Sequence, residues 1–219
     1  MTRLLVLRPE PGASATAERA RERGLDAVAV PLFVVEPVDW QAPDPNGFDG
    51  LLLTSANAVR HGGPQLEALR GLKVYAVGEA TAGIARSMGF VIARVGDSGV
   101  GELVRSIDPD LRLLHLCGAD HRDPERKNVE TMVVYRSSEL KSPDLSAARG
   151  SMALVHSPRA GRRFAEIVRE RGSIDIAAIS QAAADAAGAG WRTVAIADHP
   201  SDDALLALAA RLCNKPDPK

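Results

Sequence analysis

The chain is short of the residues that usually advertise chemistry. Its 219 residues include two cysteines, Cys117 and Cys213, far apart and in no C-x-x-C pattern. That excludes a disulfide framework and a cysteine metal site. The five histidines, at 61, 115, 121, 156 and 199, show no H-x-x-x-H spacing, so metal chemistry is not indicated. There is no Walker A loop. The glycines of GDSGVG (96–101) do not match G-x-G-x-x-G, which argues against a dinucleotide site. No G-x-S-x-G elbow occurs. No acidic pair follows the first strand, which removes a phospho-receiver. Asp202-Asp203 reads as a charged first helical turn rather than a catalytic carboxylate pair.

Charge and apolar length exclude further classes. Net charge is −1, so there is no global basic field for nucleic acid, and anion binding must come from locally placed arginines. The opening MTRLLVLRPEPG has too short an apolar run for a signal peptide or a membrane span. The expectation is a cytoplasmic protein without membrane contact, and the lack of an apolar surface stripe makes a monomer the default. Aromatics are 4% of the chain, which suits sheets and helices packed through small residues. The polar tail NKPDPK reads as frayed.

What is present is a repeat. LLLTSANAVR (51–60) and ALVHSPRAGR (153–162) are both apolar strands running into a small-residue turn and an arginine-bearing helix start. Ser55 stands 23 positions before Gly78, at the end of KVYAVG, and Ser157 stands 23 before Ser180, at the end of IAAIS. Ten short apolar runs alternate with helical patterns. Strands are expected at 3–9, 27–33, 50–55, 73–78, 91–95, 112–118, 131–137, 153–157, 176–180 and 193–197. Helices are expected at 14–24, 57–71, 79–89, 99–107, 158–172, 181–190 and 201–212. Gly24, Gly71, Gly89 and Gly172 fall where helix C-caps belong. Strands apolar on both faces imply parallel sheets covered on both sides.

The repeat divides these strands into two α/β lobes. The C-terminal block has three strands, and its missing β-α-β unit is supplied by the N-terminus. Lobe A is therefore discontinuous, 1–34 plus 139–219, with lobe B, 38–132, inserted. Two extended crossings, 32–38 and 132–138, are expected to run antiparallel as a hinge. Two such lobes leave a cleft between them, where function is expected.

Parallel sheets bind ligands at the carboxyl ends of their strands, beside helix N-termini. Those ends carry Arg8-Pro9-Glu10, Thr54-Ser55-Ala56-Asn57, Gly78-Glu79-Ala80-Thr81, Gly118 to Arg122, Ser157-Pro158-Arg159 and Ser180-Gln181. At any one loop the serine or asparagine is equally well explained as a helix cap; six such loops together point to an anionic ligand. Arg8, Arg60, Arg122, Arg136 and Arg159 lie near strand ends or helix starts and suit carboxylates, though surface arginines are common. Tyr75 reads as core. Tyr135 lies in the hinge, where a phenol can exchange a proton with a ligand; from pattern alone an ordinary cross-strand aromatic is the favoured reading.

Taken in order, RLLVLRPEP, LLLTSANAV, VYAVGEATA, LHLCGADHR, VVYRS, VHSPRAG and DDALLALA resemble the uroporphyrinogen-III synthases over essentially the whole chain. The resemblance implies two flavodoxin-like lobes with parallel sheets, joined by a two-stranded antiparallel ladder. It implies a cofactor-free lyase of heme biosynthesis acting on hydroxymethylbilane, a linear, carboxylate-rich tetrapyrrole. Loss of the terminal hydroxyl as water gives an azafulvene. Attack at the substituted carbon of ring D then forms a spiro intermediate, and its fragmentation and recombination invert ring D and close the macrocycle. By position, the resemblance assigns Tyr135 to loss of the hydroxyl. It assigns Arg8, Ser55, Asn57, Gly78, Thr81, Ser157 and Pro158 to substrate binding. Arg122 and Ser180 join them from their places at strand ends. Transient contact with neighbouring tetrapyrrole enzymes is a possible partnership.

Two departures stand out. Where the family usually reads G-P-T-T-A, this chain has Ser180-Gln181-Ala182-Ala183-Ala184, without the hydroxyls. The helix expected between LHLCG and VVYRS is short, HRDPERKNVE, with Pro124 near its start. These keep open a second reading, a weak or inactive two-lobed paralogue that binds a polycarboxylate.

Overall fold

A computed structural model describes residues 2–97 and 99–213. Its contacts divide the chain into two units, Met1–Val34 with Glu139–Lys219, and Val35–Ser138.

The first unit is built on a five-stranded, all-parallel sheet. Its strands are β1 (Leu4–Val6), β2 (Ala27–Ala29), β9 (Met152–Val155), β10 (Asp175–Ala178) and β11 (Thr193–Ile196), in the order β11-β10-β9-β1-β2. Strand alternation sends Leu4, Val6, Met152 and Leu154 to one face, under α1 (Gly12–Glu22) and α7 (Asp202–Cys213). Leu5, Leu7, Ala153 and Val155 go to the other, under α5 (Pro158–Ile167) and α6 (Gln181–Ala187). Helices α5 and α6 approach closely because Gly161 lacks a side chain. A Cβ there would lie 2.8 Å from the Ala183 carbonyl oxygen and 2.9 Å from the Ala187 nitrogen. Two alanines of the SQAAA segment thus serve helix packing: Ala183 and Ala184 are buried, as is Ala187 one turn on, while Ala182 is exposed.

The second unit holds a six-stranded mixed sheet. Its strands are β3 (Phe33–Pro37), β4 (Gly50–Leu53), β5 (Lys73–Val77), β6 (Ile92–Gly96), β7 (Leu113–Gly118) and β8 (Val129–Glu139), ordered β3-β8-β7-β4-β5-β6. Helices α2 (Ala56–His61) and α3 (Glu79–Ser87) cover the face bearing Leu51, Leu53, Leu114 and Leu116. Helix α4 (Val100–Arg105) packs Leu103 and Val104 with Leu52 and Leu113 on the other. Residue 32 bonds to 140 and 38 to 134, so β3 runs antiparallel to β8. Because β8 also pairs in parallel with β7, this ladder is an edge of the sheet rather than a free-standing ribbon. The chain passes between the two units within β3 and at the end of β8.

Three local expectations are corrected. The helix expected over 57–71 ends at His61 and resumes as a 3-10 stretch, Gly63–Leu69. Gly63 has φ +64° and Pro64 follows, so an α-helix cannot continue. The strand expected over 27–33 stops at Ala29, before Pro31. Most consequential, HRDPERKNVE forms no helix, and the parallel strands β7 and β8 are joined by an irregular segment. Arg126 holds it: its guanidinium donates to the carbonyls of Val104 (3.2 Å), Asp108 (2.6 Å) and Leu111 (2.8 Å). These are carbonyls at and beyond the C-terminus of α4, groups that need a donor in any case.

Candidate active site

In the second unit the carboxyl ends of β4, β5, β7 and the middle of β8 surround a cavity of about 270 Å³. It is lined by Thr54, Ser55, Val77, Val100, Gly118, Asp120, His121, Arg122 and Tyr135. Of the residues singled out from sequence, Ser55, Arg122 and Tyr135 meet here. The ladder register shifts at Cys117/Gly118, which sets Gly118 opposite Tyr135. The tyrosine ring lies across the glycine: a Cβ on Gly118 would sit 2.6 Å from ring carbons and 2.9 Å from the phenol oxygen. The Ala119 N–H donates to the Tyr135 carbonyl at 2.9 Å, and the His61 ring lies 6.2 Å from the tyrosine ring. Tyr135 is half-buried, with one side of its ring on the core and its edge in the cavity. It is a cross-strand aromatic and a cavity phenol at once.

The hydroxyls at the helix starts are engaged as caps. Ser55 accepts from the Asn57 N–H at 3.2 Å, Ser157 from Ala160 at 3.2 Å and Ser180 from Ala183 at 3.3 Å. Asn57 accepts from Arg60. Pro158 is the first residue of α5, where its missing N–H costs nothing. Gly78, at φ +79°, turns β5 into α3. Thr81 is buried in the first turn of α3 and its N–H bonds to the Gly78 carbonyl, so that loop presents backbone rather than the threonine hydroxyl. Arg122 is exposed at the cavity and forms no ion pair among the described residues. Of the other arginines, Arg136 pairs with Glu36 and Arg159 stacks on Phe33.

In the first unit the ends of β1 and β9 converge on Asp202. Its carboxylate accepts from His156 Nε2 (2.7 Å), from Thr16 Oγ1 (3.1 Å) and from Arg19, and Arg8 Nη1 lies 3.7 Å away. Burial alone would raise this carboxyl. The hydrogen bond and charge of His156, with Arg19 and Thr16, outweigh it and hold the pKa at about 2. Arg8 folds over Gly12, where a Cβ would be 2.6 Å from its Nε. Asp202 does open a helix, as its sequence suggests, but it faces inward and gathers four elements.

Sequence reasoning missed one buried group beside the cavity. His115, wholly buried in β7, contacts Thr54 Oγ1 through Nε2 at 2.9 Å, while its Nδ1 has no partner. Burial, and then the neighbouring His121 ring, lower its pKa to about 4 against the opposing charge of Asp123, so it is neutral near pH 7. The only signal in the sequence is a histidine inside an apolar strand.

Among the described residues no group of three or more His, Cys, Asp or Glu is placed to hold a metal ion, and no helix is long and apolar enough to cross a membrane.

The fold and the family are matched by known proteins. Uroporphyrinogen-III synthetase from Helicobacter pylori aligns with a TM-score of 0.68 at 18% identity, covering 97% of this chain and 100% of that one. A mutant uroporphyrinogen III synthase from the extremely thermophilic bacterium Thermus thermophilus aligns with a TM-score of 0.53 at 15% identity, covering 98% and 100%. Among curated proteins nothing matches significantly. The family model described as uroporphyrinogen-III synthase HemD matches residues 14–207. With that match over most of its length, and a two-unit α/β fold shared with solved synthases, the chain belongs to the uroporphyrinogen-III synthase family, the cyclising lyases of heme biosynthesis.

Proposed function

We propose that the cavity of the second unit carries the chemistry of hydroxymethylbilane cyclisation, with Tyr135 assisting departure of the terminal hydroxyl. The observation that carries this is the Tyr135 phenol held over Gly118 in the same cavity as Thr54, Ser55 and Arg122. Loss of water requires a proton on the leaving oxygen, and a positioned O–H supplies or relays it. The bilane's own pyrrole nitrogens push the electrons that form the azafulvene. The protein's larger task is to hold ring D in reach of that electrophile rather than let the chain close head-to-tail to the type I isomer.

Substrate carboxylates are assigned to Arg122, Gly78 and the helix starts at Ser55, Asn57 and Thr81, and in the first unit to Arg8, Ser157, Pro158 and Ser180. The exposed Arg122, with no ion pair among the described residues, supports its own assignment, and the positive ends of helices suit anions at the rest. The Ser55, Ser157 and Ser180 hydroxyls already cap their helices, and Thr81 is buried with its N–H engaged, so contact at these starts is assigned to the remaining N–H groups of the first turns. The proposal extends to the domain reading. Residues 1–34 plus 139–219 act as one lobe and 38–132 as the other, with 32–38 and 132–138 as the hinge. The working form is a cytoplasmic monomer.

The test is a coupled assay. Hydroxymethylbilane is generated in situ, the protein is added, and oxidised products are separated into type I and type III uroporphyrin. Wild-type protein gives predominantly type III. Tyr135→Phe, folded as judged by circular dichroism, gives turnover lowered roughly a hundredfold, the lower end of general-acid contributions. Undiminished type III formation by Tyr135→Phe removes the phenol from the chemistry.

A further inference from the structure

The buried ring of His115 has one nitrogen with a partner and one without, and together they settle how the proton on its neighbour points. Nε2 lies 2.9 Å from Thr54 Oγ1, and Nδ1, also buried, meets no donor or acceptor. A neutral imidazole carries one proton, so two arrangements exist. If Thr54 donates to Nε2, the ring proton sits on Nδ1 as a buried N–H without an acceptor. If Nε2–H donates to Thr54, Nδ1 keeps a bare lone pair. Orphaned buried N–H groups are the rarer of the two. The second arrangement therefore holds, and it makes the Thr54 oxygen an acceptor from behind. No other partner of the Thr54 hydroxyl is present among the described residues, and Thr54 lines the cavity shared with Tyr135 and Arg122. Its own proton is left to point there.

We infer that His115 is a positioning residue that fixes Thr54 as a hydrogen-bond donor into the Tyr135 cavity, aimed at an oxygen of the bound tetrapyrrole. The partner is an oxygen with lone pairs to offer, either a substrate carboxylate or the departing hydroxyl. The ring's second neighbour keeps the arrangement in place. His121 meets it edge-on, with ring centroids 5.8 Å apart, and His121 Nδ1 is tied to the Gly118 carbonyl at 3.0 Å. Register adds to the constraint. His115 lies opposite Leu52 of β4, two residues before Thr54, so the pair is set by sheet pairing and not by a mobile loop.

The functional half of this inference rests on the synthase reading; the orientation of Thr54 does not. Long-range nitrogen–proton spectra of ¹⁵N-histidine-labelled protein read the His115 tautomer directly. A proton on Nε2 with unprotonated Nδ1 is expected, and the reverse tautomer overturns the inference. In the coupled assay, Thr54→Val and His115→Phe should each lower kcat/KM roughly tenfold or more, the scale of one lost hydrogen bond to a charged or developing oxygen, through kcat where the oxygen is the departing hydroxyl and through KM where it is a substrate carboxylate. Thr54→Ser keeps the donor, and His115→Gln offers an amide N–H to the same hydroxyl, so both should recover most of the rate. A folded Thr54→Val protein with wild-type kcat/KM, or equal losses in His115→Phe and His115→Gln, overturns the positioning role. Wild-type protein yielding only the type I isomer sinks the synthase reading instead, and the nitrogen spectrum still decides where the Thr54 proton points.

Discussion

Asp202→Asn removes one charge from the point where β1, α1, β9 and α7 meet, and the structure says how the cost should vary with pH. The carboxyl titrates at about 2 in the folded chain against an ordinary 3.8. A folded pKa below the unfolded one means the stabilisation is complete above about pH 4 and is lost as the pH falls toward 2. The difference corresponds to about 2 kcal/mol. The variant lacks this titration. It should therefore be less stable than wild type by about 2 kcal/mol at pH 6, and the gap should close by pH 2. The two units need not unfold together, so a local probe is required. The chain has two tryptophans, Trp40 in the second unit and Trp191 buried in the first. In a Trp40→Phe background, Trp191 fluorescence during urea denaturation reports the first unit alone. An offset between wild type and variant that stays constant from pH 6 to pH 2 would refute the assignment of the stabilisation to the Asp202 charge. No offset at pH 6 would show that the partners are satisfied without it.

His115 predicts acid sensitivity in a different window. With a folded pKa of about 4 against 6.5 unfolded, the unfolded chain gains a proton the folded one refuses. Stability of the second unit should then fall by about 3 kcal/mol between pH 7 and pH 4. Trp40 fluorescence in a Trp191→Phe background follows it, and His115→Phe should flatten the decline. Gly118→Ala puts a methyl 2.6 Å from the Tyr135 ring. Displacing that ring should lower type III formation at least tenfold, as misplacements of about an ångström do, while circular dichroism stays native. An active Gly118→Ala protein would mean the ring position is not critical.

Much of the fold was legible because its physics is local. Parallel strands buried on both faces leave unbroken apolar runs, and the twenty-three-residue spacing from Ser55 to Gly78 and from Ser157 to Ser180 follows from one strand–helix–strand module used twice. What misled was weight given to periodicity over punctuation. The run 57–71 looks helical by its apolar spacing, yet Gly62-Gly63-Pro64 interrupts it. HRDPERKNVE (121–130) looks like a short helix, but Pro124 and the pull of Arg126 on distant carbonyls leave it without one. At the site, sequence pointed to Tyr135, Ser55 and Arg122, which share the cavity. It did not point to His115, whose meaning depends on a threonine 61 positions away, nor to the inward turn of Asp202. Long-range pairing of polar groups leaves no periodic trace.

Because the second unit is one continuous stretch and the first is split around it, the two complete themselves at different moments during synthesis. Once Ser138 has left the ribosome, every strand of the six-stranded sheet from Val35 onward has been made. Strand β1 is in another position. It sits between β2 and β9 in its sheet, and β9 begins only at Met152. Leu4, Leu5 and Val6 therefore wait with one hydrogen-bonding edge open while the whole inserted unit is translated, at five to twenty residues per second, roughly five to twenty seconds. For that interval nascent β1 is an apolar strand with one unpaired edge, a template on which other chains can pair.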